Sequence, residues 1–309
     1  MVSHQLAEVC SDRVMRREYQ RGIALISVLW ITTLLTVIVA SFTLSVRTEG
    51  QLARNMVENA KAEALADGAV HRAVLGILEM EPERAWRPDG RPYRLDYGGG
   101  SVVVRVFDED SKVDLNAAPA ELLGGLFLLL GLDEEQAWTL ANRIVDFRDE
   151  DDAPEPNGAE DPDYEEAGRA DGALDRPLVT EAELRGVLGM SEELYGRLRP
   201  FVTVYSGAEG IDATRASPDV LRAVPGMTPE LADAIREVGP DGDPFEVIED
   251  EGVFDLELYF VPSREIMFRV QAEARTPGGG VFVREAVIEL SGQPARPFMV
   301  HVWRRGALP

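Results

Sequence analysis

The sequence predicts an α+β chain: a long amino-terminal helix packed on an antiparallel sheet, with a large, mostly helical domain inserted between the sheet's strands. Three observations carry this. A charge-free run of 24 residues, Ile23–Val46, continues without a break into a helical apolar stripe. Segments that alternate apolar and polar residues lie at Tyr93–Phe107 and again beyond Arg264. Between them, helical segments recur around Gly-containing bends.

The helix comes first. At 1.5 Å per residue the apolar run would be about 36 Å long, enough to cross a hydrocarbon layer of about 30 Å. Arg13, Arg16, Arg17 and Arg21 precede it and hold that end in the cytoplasm, which places the rest of the chain beyond the membrane. A buried core helix would be shorter and less apolar. A cleaved secretory signal would have a shorter apolar stretch with a small-residue site after it. The stripe continues through Leu52, Met56, Ala60, Ala64, Ala66, Ala69, Val70, Val74, Leu75 and Leu78, and Pro82 ends it. The expectation is one helix from Ile23 to about Met80, half in lipid and half in water. His71 on it is read as a surface or groove-facing residue.

Strands follow. Tyr93–Tyr97 and Ser101–Phe107 form a hairpin through Gly98-Gly99-Gly100, which is no phosphate loop because no helix follows it. Arg264–Arg275, Val281–Leu290 and Phe298–Arg304 complete the sheet, with His301 and Trp303 as packing residues.

The insertion spans about 112–255. One copy of a weak repeat starts at Val113-Asp114-Leu115-Asn116-Ala117-Ala118-Pro119 and bends at Leu130-Gly131-Leu132. The other starts at Ile211-Asp212-Ala213-Thr214-Arg215-Ala216-Ser217-Pro218 and bends at Pro225-Gly226. Asp, Asn or Ser beside Pro opens each first helix. The pattern resembles helix-hairpin-helix modules. Those often bind DNA, but this region is acidic and phosphate contacts need Lys or Arg, so a small protein-binding module is preferred. Phe201–Tyr205, between the copies, reads as a further strand returning to the main sheet.

From Asp146 to Asp175 there are 13 acidic residues against Arg148 and Arg169. Carboxylates this dense must be solvated or neutralised by a cation. Pro154, Pro156 and Gly158 turn the chain so that oxygens converge, which suits Ca²⁺. An EF-hand counted from Asp149 would have Ala153 and Pro154 where a ligand and Gly belong, so the loop is of another kind. A solvated acidic linker and a paired-carboxylate hydrolase site are the competing readings. No nucleophile elbow, zinc-protease helix or P-loop is present, and nothing else suggests an enzyme.

Charge and cysteine content narrow the partners. The 309-residue chain carries a net −24, which disfavours nucleic acid. Its single cysteine, Cys10, forbids an internal disulfide, and three scattered histidines argue against a His-rich metal site.

Two motifs carry a resemblance. Arg21-Gly22-Ile23-Ala24-Leu25-Ile26 resembles the type III signal cut by prepilin peptidase between Gly22 and Ile23, after which the apolar helix stays as an anchor and Ile23 is methylated. The fifth mature residue is Ser27 where pilin-like chains usually carry Glu. That Glu is thought to pair with a neighbour's terminal amine, so its absence points to a tip subunit. The second motif comprises Lys112–Pro119, then Asp149-x-Asp151, then Gly158-Ala159-Glu160-Asp161-x-x-Tyr164. Together these resemble the large minor pseudopilins of type II secretion, the GspK type, from Arg21 to the end of the chain. Phe147-Arg148, where the family often has Trp-Ile, is a departure.

The resemblance implies a pilin-like fold with an inserted helix-hairpin-helix or SAM-like domain, and residue ranges follow from it. Residues 1–22 would be a prepilin leader and 23–46 the transmembrane half of the helix. Residues 47–111 would begin the pilin-like domain, 112–255 would be the insertion, and 256–309 the last strands. It implies calcium at Asp149, Asp151, Glu160 and Asp161, with Asp146 and Asp163 as lesser candidates. It implies partnership with the I- and J-type minor pseudopilins, the pseudopilus shaft and prepilin peptidase, with no nucleic acid. The location would be the inner membrane, single-pass, with a periplasmic carboxyl-terminal domain. Loss of the leader would remove Cys10 and leave a net −25. Two readings remain beside it: an uncleaved single-pass scaffold unrelated to pili, and a membrane-tethered DNA receptor.

Overall fold

The computed structural model describes residues 3–239, 242–251, 258–293 and 295–307, with the backbone path alone for 3–23 and 249–251. The described residues fall into two compact units. One holds residues up to 61 with 278–280; the other holds 62–277 and 281 onward.

Helix α1 spans Ser3–Ile77, and its residues up to 61 make up most of the first unit. Its described side chains from Leu25 to Val57 are exposed, including Leu29, Trp30, Leu34, Ile38 and Phe42. This is the one helix among the described residues that is long and apolar enough to cross a membrane. Thr32, Thr33, Thr36 and Thr43 each donate their hydroxyl to a carbonyl three or four residues back, at 2.7–2.9 Å. These four hydroxyls inside the apolar run are therefore satisfied by the helix itself. The helix starts 20 residues before the predicted Ile23 and stops three short of Met80.

In the second unit, Ala62, Leu65, Ala66, Ala69, Val70, Ala73 and Val74 form the buried stripe of α1. Small residues at this spacing let the helix lie close on a five-stranded antiparallel sheet. Its strands are β1 (Tyr93–Tyr97), β2 (Gly100–Asp108), β5 (Met267–Arg275), β6 (Val281–Gln293) and β7 (Arg296–Arg305), in the order β1-β2-β5-β6-β7. Val102, Val104 and Val106 on β2 and Phe268, Val270, Ala272 and Ala274 on β5 face the helix, as the period of two requires. Trp86 stacks on Tyr93, ring centroids 4.1 Å apart, closing the end of this core.

The insertion has a separate core. The predicted repeat is present as two helical hairpins: α2 (Ala120–Leu129) with α3 (Glu134–Arg148), and α6 (Pro218–Arg222) with α7 (Pro229–Val238). Between them lie α4 (Asp161–Glu166) and α5 (Glu192–Leu198), and α8 (Pro244–Glu251) follows. Gly131 and Gly226 both take left-handed φ angles, +88° and +81°, which explains a Gly in each bend. The capping reading holds for Ser217, which accepts from the Val220 N–H. It fails for α2, where Asp114 accepts from Asn116 and Ala117 in the preceding turn and Pro119 takes the cap position.

Phe201–Tyr205 does not return to the main sheet. Only Val202–Thr203 is extended (β4), and it pairs in parallel with Val113–Asp114 (β3). That edge is fixed by the Leu115 N–H, which donates to the Thr203 carbonyl at 2.8 Å. The sheet itself ends at β1 and β7. His301 is also not a packing residue: it is exposed and meets Glu289 at 2.7 Å. His71 is exposed as expected, edge-on to Phe298 and Trp303. Residues 252–255, at the end of the predicted insertion, lie outside the described residues.

Candidate functional site

The acidic loop is built from the carboxyl end of α3, the turn that follows, and the start of α4. Asp146 is fully buried on the last turn of α3. Its two oxygens accept from the Glu155 N–H at 3.1 Å and the Ala159 N–H at 2.7 Å, which folds the loop back on the helix. Gly158 has no substitute here, because a Cβ would fall 1.7 Å from an Asp146 oxygen. Tyr164, also fully buried, accepts from the Leu188 N–H at 3.1 Å and holds α4 down.

This scaffold brings Asp149 and Glu160 together at the loop's inner side. Asp149 Oδ1 and Glu160 Oε1 are buried and have no hydrogen-bond partner. Burial, together with Asp146, Asp149, Asp175 and Asp152, pushes the Glu160 carboxyl up to about 7. Burial and the charges of Asp151 and Asp146 raise Asp149 as well. Asp175 is raised by burial and by Asp161 and Asp152. It also holds a left-handed φ of 49°, a conformation costly for a non-Gly residue.

Asp151, Asp161 and Asp163 stand differently. Asp151 is exposed and accepts from the Ala153 N–H at 2.9 Å. Asp161 accepts from the Ala173 N–H at 2.9 Å, and Asp163 from the Glu160 N–H at 3.0 Å, so each spends one oxygen on the loop's own turns. Among the described residues no three such side chains already stand in ligand geometry. The donor set nevertheless fits a hard cation. It is all carboxylate oxygen, two atoms are buried and unmet, and the surrounding charge favours protonation in place of a missing positive partner. Sequence reading counted Asp152 and Asp175 in the acidic cluster but did not single them out as charges acting on the candidate ligands. The acid-rich composition was visible, but the fold-back of residues 171–175 was not.

The predicted processing pair Gly22–Ile23 lies on the helical backbone of α1, and its side chains are outside the described residues.

A family model described as type II secretion system (T2SS), protein K, matches residues 103–207, which span β2, the first helical hairpin and the acidic loop. Over these residues the chain is similar to type II secretion system protein K. Type II secretion system protein K of Pseudomonas aeruginosa is 29% identical over 245 residues, 71% of this chain and 73% of that one. The Klebsiella pneumoniae protein of the same name is 30% identical over 207 residues, 59% of this chain and 62% of that one. The solved GspK-GspI-GspJ complex of the enterotoxigenic Escherichia coli type 2 secretion system contains a chain with the same fold. It superposes with a TM-score of 0.57 at 20% identity, covering 85% of this chain and all of that one.

Proposed function

We propose that this chain, a minor pseudopilin of the type II secretion system, forms and caps the tip of a periplasmic pseudopilus that drives protein export across the outer membrane. The observation that carries this is the exposed apolar length of α1, from Leu25 to Val57, on a chain that shares its fold with a member of a GspK-GspI-GspJ complex. So much apolar surface is stable only in lipid or against other helices. In this reading prepilin peptidase cuts after Gly22, and α1 remains as a single-pass anchor in the inner membrane. It then packs beside the matching helices of I- and J-type subunits and the shaft. The bulk of the insertion stops a further subunit from stacking above. The role is one of assembly, not catalysis.

Calcium belongs to the same reading. Asp149 and Glu160 would supply the buried oxygens, with Asp151 and Asp161 from the rim and Asp146 ordering the loop behind them. Bound there, the ion supplies positive charge that offsets the repulsion among these carboxylates.

Co-expression with I- and J-type subunits tests the assembly. The expected result is a detergent-stable ternary complex that is lost when Leu34 and Ile38 are both replaced by Arg. An intact complex in that variant would contradict the role given to α1. Replacing Gly22 should leave residues 1–22 attached and abolish export.

A further inference from the structure

The segments that carry the chain into and out of the insertion meet at a buried cluster of charges on the sheet. Arg269 of β5 is at its centre. It reaches Glu109, just after β2, at 2.8 and 3.0 Å, and Glu285 of β6 at 2.6 Å. It also reaches Glu181, which comes from the insertion. Glu181 is 1% exposed and Glu109 fully buried. Lys112 meets Glu109 at 2.7 Å, and Thr203 of β4 donates its hydroxyl to the same carboxylate. Burial alone would lower Arg269, but the facing charge of Glu109 first, then Glu181 and Glu285, raises it.

Glu181 stands six residues beyond Asp175, and the chain around this stretch is anchored at Leu174, Leu178, Val179 and Thr180. The Leu174 N–H donates to the Phe147 carbonyl at 3.0 Å, directly behind the acidic loop. Leu178 is buried and clamped by Asn116 through two reciprocal bonds, 2.7 and 2.9 Å. Glu183 accepts from the Val179 and Thr180 N–H groups, which presents Glu181 inward. A shift of the loop segment therefore has a short route to Arg269 through the Leu178 clamp.

We propose that Glu181 is a positioning residue that couples cation occupancy of the acidic loop to the junction, so that the insertion is locked onto the sheet only when the loop is neutralised. This rests on the calcium reading above. The Asp161 carboxylate accepts from the Ala173 N–H at 2.9 Å, two residues before Asp175 with its left-handed φ; without a cation, repulsion between Asp161 and the neighbouring carboxylates works against the segment that carries Glu181. Withdrawing Glu181 leaves Arg269 short of one buried counter-charge, and breaking such a pair is costly. The insertion contributes Glu181 directly to Arg269, so the loosening is felt where the two domains join.

Hydrogen exchange on the full-length protein in detergent, with and without Ca²⁺, tests this. In the wild type Ca²⁺ should slow exchange about tenfold both in 146–175 and at the junction, 112–114 and 202–203. In Glu181→Gln the loop should still respond while the junction does not. Asn116→Ala, which removes the clamp without touching a charge, should decouple them in the same way and covers the case that Glu181→Gln fails to fold. A loop response without a junction response in the wild type would overturn the coupling and leave the calcium reading standing. A junction response that persists in both variants would overturn it too. No response in either region would remove both.

Discussion

Glu160 has its chemistry displaced well away from the ordinary. Its carboxyl sits at about 7 in the fold against an ordinary 4.5, so the folded state holds its proton more tightly than the unfolded chain. The stability it contributes is full below about pH 4.5 and is lost as pH rises through about 7. Asp108, pushed up to about 6 by burial, acts in the same direction. Glu109, held at about 2 because Lys112 and Arg269 outweigh its burial, acts oppositely, but only at pH values below its ordinary range. Metal-free protein should therefore melt at progressively lower temperature between pH 5 and 7.5. Glu160→Gln should flatten that slope and add on the order of 2 kcal/mol at pH 7.5 without calcium. Saturating Ca²⁺ should reduce the slope in the wild type to the part that Asp108 contributes. Calorimetry across pH checks all three. Replacing Asp149 and Asp151 together by Ala should abolish the gain in melting temperature on adding calcium. Unchanged calcium dependence would remove the metal assignment.

Elements were legible where their signal is local. The β1–β2 hairpin, the three late strands and both helical hairpins follow from periodicity and from Gly at the bends, each within a few residues. The Gly226→Ala variant should cost about 1 kcal/mol through its left-handed φ alone. Gly158→Ala should cost several times more, since the Cβ would collide with Asp146. Urea unfolding of the two variants separates these cases, and equal losses would contradict the packing described around Asp146. What sequence did not reveal is pairwise and distant. Thr203 joins β3 from ninety residues away, and Arg269 finds Glu109 across 160 positions. An isolated Arg between Phe268 and Val270 marks a polar outer face, but nothing in the order of residues names its partners. Within the acidic loop, composition indicated a cation; only the fold shows that Asp149 and Glu160 own the unmet oxygens while Asp146 is spent on backbone N–H groups.

At the scale of the molecule, two hydrophobic cores divide the labour. The sheet core fastens Ala62–Val74 of α1, and the insertion core carries the acidic loop and the bulk assigned to the tip. The buried charges around Arg269 lie where the sheet meets the insertion, which makes that junction specific in geometry rather than merely adhesive. The central claim is that the apolar helix survives maturation as an anchor once the basic leader has gone. Intact-mass spectrometry of the protein purified from membranes of a secreting cell measures this most directly. The account predicts a chain that begins at Ile23, bears one added methyl group and contains no cysteine. A chain that begins at Met1, or one that has lost the apolar helix, would contradict it.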